Sequence, residues 1–220
     1  IQLCGALDDT YVATCDQEIF DYIQSIGGKA IMTADTHDRA SDRAAEAMIK
    51  IEEATEGQVD ILVMVQGDEP MNTPEMVAEA LTPMMHDEEV QVVNLMGRID
   101  SLEEFEDPNT VKVVAGPDGN AIYFSREPIP SRKKDFEAVP MLKQICIIPF
   151  RRDYLLEFNN TPQMTLERIE SVDMLRVIES GGSVRMVMTE YPSIGVDTPR
   201  DLQNVTKLMA GDPLMWKYLS

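Results

Sequence analysis

Strand-like and helix-like segments alternate through the first half of the chain, and this alternation restricts the possible folds more than any other feature. The strand-like runs are short, apolar and rich in β-branched residues, whereas the helix-like runs repeat apolar residues every three to four positions. In chain order the segments are residues 11–14, 17–26, 30–33, 42–54, 61–66 and 73–85. Such alternation predicts an α/β fold with a mixed, mainly parallel sheet flanked by helices.

The second half continues with strands and helices joined by clear turn signals. We expect strands at residues 90–96, 111–114, 121–125, 144–150 and 183–187, and helices at 153–159, 171–179 and 200–209. The turn Gly116-Pro117-Asp118-Gly119 joins two of these strands. Residues 127–143 contain three prolines and a basic run, which indicates an excursion or a dimerisation segment. The 220 residues are otherwise expected to form one globular domain.

Composition excludes several classes of partner. The net charge of −20 disfavours nucleic acid and anionic membranes, which bind mainly through basic patches. Small anionic substrates remain compatible, because bulk charge is screened over about 8 Å at physiological ionic strength. No apolar run approaches the roughly 20 residues of a membrane span, so we expect no membrane insertion and a cytoplasmic protein. The widely spaced Cys4, Cys15 and Cys146 favour reduced core thiols over a disulfide framework or a zinc site.

Two apolar runs end abruptly at an acid. In residues 63–70 the run stops at Gly67, followed by Asp68 and Glu69, and in residues 194–199 it stops at Asp197. Ligands of open α/β sheets bind beyond the carboxyl ends of the strands, so both acids are candidates to meet a ligand or a metal. The local alternative is that such an acid only caps the next helix, which for Asp68 begins near Thr73. Two separated strand-end acids suit Mg²⁺, which commonly takes one or two carboxylates and completes its coordination with water and substrate phosphates.

An ordered set of motifs resembles one enzyme family. The motifs are Val65-Gln66-Gly67-Asp68-Glu69-Pro70, Asp107-Pro108-Asn109-Thr110-Val111-Lys112-Val113-Val114, Tyr123-Phe124-Ser125-Arg126-Glu127-Pro128-Ile129-Pro130, Leu166-Glu167-Arg168-Ile169-Glu170-Ser171 and Gly195-Val196-Asp197-Thr198-Pro199. In this order they resemble the CMP-Kdo synthetases, the cytidylyltransferases that activate 3-deoxy-D-manno-octulosonate (Kdo). The resemblance implies a Rossmann-like fold of the nucleotide-diphospho-sugar transferase type, and a homodimer.

The same resemblance implies a reaction and roles for individual residues. In such enzymes the anomeric hydroxyl of the sugar acid attacks the α-phosphorus of CTP and pyrophosphate leaves. Asp68 and Asp197 then hold Mg²⁺, and Gln66, with Gly67 beside it, faces the sugar. Arg126 is expected to pair with an anionic substrate, because a guanidinium matches a carboxylate or a phosphate in two places. The alternatives are an amide closing a local loop for Gln66 and a solvated charge for Arg126.

The segment from Arg39 to Arg43 resembles the family's turn beside the cytidine. Ala40 and Ser41 stand where the family has glycine and threonine, while Asp42 and Arg43 match. The resemblance therefore places Ser41, Asp42 and Arg43 next to the nucleotide. The local alternative is an ordinary helix start capped by Ser41.

Two departures from the family lie on the sugar side. The usual tyrosine-basic-histidine-isoleucine-glycine segment is Leu142-Lys143-Gln144-Ile145-Cys146 here, and the usual glutamate-glutamine pair is Asp173-Met174. A site built to bind hydroxyls discriminates strongly when a polar partner is lost. We therefore expect Gln144, Asp173 and Met174 to alter the sugar that is bound, in favour of a modified octulosonate such as an amino-substituted Kdo, or another acidic sugar.

The family's opening strand and its phosphate-binding loop are not found in the 220 residues, which start after that unit. We expect these residues to have been left out of the sequence, because loss of a central parallel strand exposes an unpaired sheet edge.

Two other functions remain open. One is a catalytically inactive module that binds a nucleotide or a sugar, and the other is an inverting sugar transferase, although Asp68 and Glu69 are adjacent where those enzymes typically have acid-x-acid.

Overall fold

The computed structural model describes residues 1–133 and 139–217, apart from the side chain of Trp216. The strands of this described part are β1 (Val12–Thr14), β2 (Ala30–Met32), β3 (Ile61–Val65), β4 (Val93–Arg98), β5 (Lys112–Ala115), β6 (Ala121–Ser125), β7 (Leu142–Ile145), β8 (Ile147–Arg151) and β9 (Arg185–Met188). The helices are α1 (Gln17–Ser25), α2 (Ala40–Thr55), α3 (Pro74–His86), α4 (Leu102–Glu106), α5 (Arg152–Asn160), α6 (Thr165–Glu170), α7 (Met174–Glu179) and α8 (Pro199–Met209). A short 3-10 turn follows at Met215–Lys217.

The alternation expected for the first half is confirmed, from β1 to α3. Local chemistry accounts for the helix ends. Asp16 caps α1 by accepting hydrogen bonds from the backbone N–H groups of Glu18 at 2.8 Å and Ile19 at 3.1 Å. Gly27, with φ of 79°, lets the chain turn away after the helix in a conformation that other residues rarely adopt.

The fold class is confirmed as mixed α/β with helices flanking the sheets, but parallel strand pairs do not predominate. Among the described residues, β1 pairs with β2 and β4 with β9 in parallel, whereas β3–β8, β4–β7, β5–β6 and β5–β7 are antiparallel. The widest sheet has the order β6-β5-β7-β4-β9. The antiparallel share follows from the second half of the chain, where short connections such as the turn after Ala115 join neighbouring strands, and a short connection cannot join parallel strands.

One long strand was expected at residues 144–150, and the structure divides it at Cys146. On one side β7 pairs with β4 and β5, and on the other side β8 pairs with β3. The backbone of Cys146 is bound at this crossing, since its carbonyl accepts from the N–H of Gln66 at 3.3 Å. Its N–H donates to both carboxylate oxygens of Glu69 at 3.1 Å. The crossing therefore joins the two sheets next to the loop that carries Asp68.

The main hydrophobic core lies between β8 and helices α2, α5 and α7. Met48, Phe150, Leu155 and Met174 are each 0% exposed within it. A buried ion pair connects α6 to α7 beside this core, with Arg176 Nη2 2.6 Å from Glu167 Oε1. The pair holds in place the short segment between the two helices, which borders the cleft described below.

Several local expectations need correction. The short helices α4 and α6 were not expected, because five or six residues carry too few turns to show a helical period. In the segment 127–143, residues 127–133 and 139–141 have no regular structure, Leu142 and Lys143 belong to β7, and residues 134–138 lie outside the described part. All three cysteines are free, but Cys15 is exposed in the turn before α1, so the expectation of core thiols is wrong for that residue.

Candidate active site

A cleft of about 1200 Å³ opens at the carboxyl ends of β3, β4 and β9. Its walls include most of the residues that were expected to meet substrate or metal: Gln66, Asp68, Arg126, Gln144, Asp173 and Asp197. These residues are as much as 131 positions apart in the chain, and they come from separate strand ends and loops. The five other expected residues are not part of the cleft wall: Ser41, Asp42, Arg43, Gly67 and Met174.

The two acids lie close together, but only Asp68 follows a strand, β3. Asp197 lies in the irregular segment between β9 and α8, so the expectation that it ends a strand is wrong. The backbone N–H of Val196 donates to the backbone carbonyl of Asp68 at 2.8 Å, which ties the loop of Asp197 to the loop after β3. Partial burial and then the neighbouring charge of Asp68 raise the pKa of Asp197 above its ordinary value. The pair is therefore a concentration of negative charge that a cation relieves.

Neither acid serves as the cap of the helix that follows it. Helix α3 begins at Thr73, whose side chain accepts from the N–H of Met76 at 3.4 Å. Helix α8 begins at Thr198, which forms a capping box with Asp201. The local alternative for Asp68, a carboxylate used only to cap α3, is thus not what the structure has.

Arg126 is held at the cleft wall by neutral groups. Its Nε donates to the carbonyl of Glu170 at 2.7 Å, Nη1 to that of Pro108 at 2.9 Å and Nη2 to that of Ser171 at 3.4 Å. Within residues 1–133 and 139–217 no carboxylate forms an ion pair with this guanidinium. Its position is therefore set by backbone carbonyls while its positive charge remains available to an anion in the cleft.

Two charged side chains support the strand end that carries Arg126. Lys112 is 0% exposed, and its ammonium donates to the carbonyls of Asp107 at 2.8 Å, Thr110 at 2.7 Å and Arg126. Burial lowers the pKa of Lys112, an effect that the charge of Asp107 opposes. Glu170 accepts from the backbone N–H of Arg126 at 2.8 Å and from the hydroxyl of Ser125 at 2.9 Å. The backbone on both sides of Arg126 is thus bound by charged groups, its carbonyl by Lys112 and its N–H by Glu170.

Asp173 also lines the cleft and is bound by two residues of the segment that resembles the family's cytidine turn. Ser41, 0% exposed, donates its hydroxyl to Asp173 Oδ2 at 3.0 Å. Arg39 Nη1 is 3.3 Å from Asp173 Oδ1. Burial raises the pKa of Asp173, and the Arg39 charge opposes that rise. Ser41 lies inside α2, which begins at Ala40 without a side-chain cap, so the local alternative, a helix start capped by Ser41, is wrong.

The remaining expected residues have other surroundings. Asp42 lies beside a second, smaller depression on α2, and Arg43 donates to the carbonyl of Ala34 at 3.1 Å, which ties α2 to the end of β2. Met174 is 0% exposed in the main core, so its side chain does not reach the cleft. Gly67 is exposed between Gln66 and Asp68. Their contacts with a substrate stay predictions.

Several cleft residues received no role from the sequence, among them Arg39, Glu69 and Lys143. Arg39 opens the segment that was singled out, but only Ser41, Asp42 and Arg43 received roles. Glu69 follows Asp68, and burial raises the pKa of its carboxyl, which binds the backbone of Cys146. Lys143 Nζ lies 2.6 Å from Glu104 Oε1 and donates to the carbonyl of Ser193 at 2.8 Å. All three lie inside motifs that resemble the family, so a charged side chain within such a motif was the signal that could have identified them as cleft residues.

Comparison with known proteins places the chain in a family. A solved structure described as CMP:2-keto-3-deoxy-manno-octonic acid synthetase complexed with CTP superposes with a TM-score of 0.85 at 36% identity, covering 95% of this chain and 83% of that one. The structure of 4-diphosphocytidyl-2C-methyl-D-erythritol synthase from Anaerococcus prevotii, 12% identical with a TM-score of 0.57, shares the fold alone. The chain is a nucleotidyltransferase.

The family follows from two further findings. The model of the cytidylyltransferase family matches residues 1–188, and the chain belongs to that family. The 3-deoxy-manno-octulosonate cytidylyltransferase of Geobacter metallireducens is 38% identical over 216 residues, which cover 94% of this chain and 83% of that protein. The enzyme of the same description from Syntrophus aciditrophicus is 40% identical over 200 residues, 91% of this chain and 79% of that protein. In the described part of the chain, no helix is both long enough and apolar enough to cross a membrane.

Proposed function

We propose that this chain transfers CMP from CTP to the anomeric hydroxyl of Kdo or of a related, including amino-modified, acidic sugar, with Mg²⁺ and release of pyrophosphate. The observation that carries the proposal is the placement on a single cleft of two carboxylates that cap no helix, those of Asp68 and Asp197, and of one guanidinium anchored by backbone carbonyls. The relatives named 3-deoxy-manno-octulosonate cytidylyltransferase support the choice of sugar class.

The donor set of the cleft fits Mg²⁺. Asp68 and Asp197 are hard oxygen donors whose mutual repulsion a cation relieves. No cluster of three or more histidine, cysteine, aspartate or glutamate side chains suited to a metal occurs in the described residues. Two carboxylates are enough for Mg²⁺ when water and phosphate oxygens complete the octahedron. When bound, the ion supplies positive charge against the phosphates and makes a nearby hydroxyl more acidic.

The chain's own contribution is positioning and charge. Phosphoryl transfer needs the attacking oxygen, the α-phosphorus and the leaving oxygen in line, and it needs no covalent nucleophile from the protein. In the proposed step the anomeric oxygen forms a bond to the α-phosphorus, the bond from phosphorus to the α,β-bridging oxygen breaks, and the electron pair leaves with pyrophosphate. The hydroxyl proton is released to solvent.

Arg126 is proposed to bind the carboxylate of the sugar acid. Its guanidinium is already fixed by three backbone carbonyls, so little side-chain entropy is lost when the anion binds. Among the described residues its guanidinium forms no ion pair, which leaves its charge available to an anion in the cleft. Gln66 is proposed to face the same sugar, and residues 39–43 the cytidine, as the resemblance implies.

The test is CTP-dependent pyrophosphate release with Mg²⁺, using Kdo, 8-amino-8-deoxy-Kdo and a sialic acid in parallel. We expect turnover with an octulosonate, and a loss of about 10²-fold or more in Asp68→Asn and in Asp197→Asn. The matched control is Asp21→Asn, which removes an exposed carboxylate on α1 away from the cleft. Ordinary turnover by both cleft variants would refute the metal assignment. Binding of CTP without turnover of any sugar would favour an inactive binding module.

The proposed homodimer is tested separately. Light scattering at micromolar concentration should give twice the mass of one chain, and a monomer mass would contradict the dimer.

A further inference from the structure

The direction of a buried amide on β4 can be deduced from its partners. Asn94 is 0% exposed, and its Nδ2 donates to the backbone carbonyls of Leu95 at 2.9 Å and Ile145 at 2.7 Å. A carbonyl oxygen only accepts hydrogen bonds. The amino group of Asn94 must therefore face these two carbonyls, and its Oδ1 points elsewhere.

That oxygen determines the direction of a second amide, which lines the cleft. Nε2 of Gln144 donates to Oδ1 of Asn94 at 2.6 Å. If Gln144 were reversed, two amide oxygens would face each other at that distance and a buried acceptor would lose its donor, which is costly. Gln144 must therefore use its amino group toward Asn94.

The amide oxygen of Gln144 is left for a ligand. Among the described residues no group donates to this Oε1, and it is not one of the buried polar atoms without a partner. Gln144 is half-buried and lines the cleft. It consequently presents a fixed hydrogen-bond acceptor to whatever binds there, supported by a chain of amides that ends on backbone atoms.

Carboxylates lie near this acceptor. Cys146, two residues after Gln144 in the chain, is affected by three carboxylates, those of Glu69, Asp68 and Asp173. Burial first, and then these three charges in that order, hold the pKa of the Cys146 thiol well above its ordinary value. A hydrogen-bond donor that also carries positive charge gains from these carboxylates.

We propose that Gln144 is a specificity-determining residue that selects a sugar acid with a hydrogen-bond donor, a hydroxyl or a protonated amine, at the carbon that meets its amide oxygen. Asn94 is the positioning residue that holds the amide in this direction. The inference rests on the proposed function, since it concerns the sugar that the same cleft accepts.

The first test uses the wild-type protein and the direction of the hydrogen bond. Pyrophosphate release is measured with Kdo, with its monodeoxy analogues and with the matching deoxyfluoro analogues, in which fluorine cannot donate. At the carbon whose substituent contacts Gln144, kcat/KM should be about threefold to tenfold lower for both the deoxy and the deoxyfluoro sugar than for Kdo, because neither offers a donor. If the fluoro sugar were accepted as well as Kdo at every carbon, the assigned direction would be wrong.

The second test uses Gln144→Met, which keeps the length of the side chain and removes the amide. We expect this variant to lose the same factor with Kdo, and to treat Kdo and the deoxy analogue of that carbon alike. With 8-amino-8-deoxy-Kdo the loss should exceed about tenfold if the contacted donor is the amine, since hydrogen bonds to charged groups are stronger. Asn94→Ala should also weaken the discrimination between Kdo and that deoxy analogue, a readout that a merely structural role would not change.

The outcomes separate this inference from the proposed function. Turnover in which Gln144→Met lowers kcat/KM by one common factor for every analogue would overturn the inference and leave the reaction standing. Absence of CTP-dependent turnover by the wild type with every sugar would overturn both.

Discussion

The buried ion pair between α6 and α7 allows a sharp prediction about stability. Arg176 and Glu167 are 3% and 0% exposed, and their contacts are bidentate, with Nε 2.7 Å from Oε2 and Nη2 2.6 Å from Oε1. Arg176 Nη1 also donates to the carbonyls of Phe158 at 2.9 Å and Thr161 at 3.2 Å. Arg176→Met removes the charge and all of these donors while keeping an apolar side chain of similar length.

The expected cost follows from what is left behind. Glu167 keeps a buried carboxylate without its cation, and removing one partner of such a pair typically costs about 3–5 kcal/mol. For a chain of this size each kcal/mol shifts the melting temperature by about 2–4 °C, so we expect a decrease of about 6–20 °C. Burial of the methionine side chain offsets only part of this loss of stability, because an apolar side chain cannot neutralise the charge of Glu167.

Urea unfolding at neutral pH measures the effect, with the free energy of unfolding extrapolated to water. The matched control is Arg152→Met, because Arg152 binds Glu52 with the same bidentate geometry, 2.7 and 2.8 Å, but its side chain is 24% exposed. That control should cost about 1 kcal/mol or less. The double variant Glu167→Gln/Arg176→Met should cost less than the two single changes added together. A loss below about 1 kcal/mol in Arg176→Met would refute the reasoning.

Three further outcomes are expected. Without Mg²⁺ at pH 8, Asp68→Asn should raise the free energy of unfolding by up to about 1 kcal/mol, because it removes the repulsion between two exposed carboxylates. This gain should fade as the pH falls through the raised pKa of Asp197, and a loss of stability at pH 8 would contradict the prediction. Lys112→Met should lower stability by about 2–4 kcal/mol, because three backbone carbonyls beside the cleft lose their donor, and an unchanged urea midpoint would argue against this. The pKa of Glu46 is lowered to about 2, mainly by the hydrogen bond from Lys50. In thermal melts Glu46→Gln should therefore be less stable than the wild type above pH 4.5, and the difference should vanish as the pH falls through about 2.

The sequence predicted the class of fold because that class follows from the order of strands and helices, which local residue patterns reveal. Hydrophobic period and turn residues are sufficient to recognise β1 to α3 and the placement of Asp68 after β3, whereas the apolar run before Asp197 is not a strand. The motif order also led to the cytidylyltransferase family, which the comparisons confirm.

Pairing and side-chain direction were beyond the sequence. The antiparallel β3–β8 and β4–β7 pairs, and the crossing of one strand between two sheets at Cys146, depend on which strands meet in space. Met174 and Ser41 show the same limit at the level of single residues. Both lie next to expected functional positions in the sequence, but in the folded chain Met174 packs in the core and Ser41 donates a hydrogen bond to Asp173.

The sequence by itself determined where the apolar runs stop and which charges follow them, and therefore the kind of chemistry that those positions can support. Only the tertiary structure decided which of these residues share a cleft, and which way the amide of Gln144 points. The physical reason is that strand endings follow from local periodicity and turn preference, whereas the direction of a hydrogen bond depends on partners such as Asn94, fifty residues away in the chain.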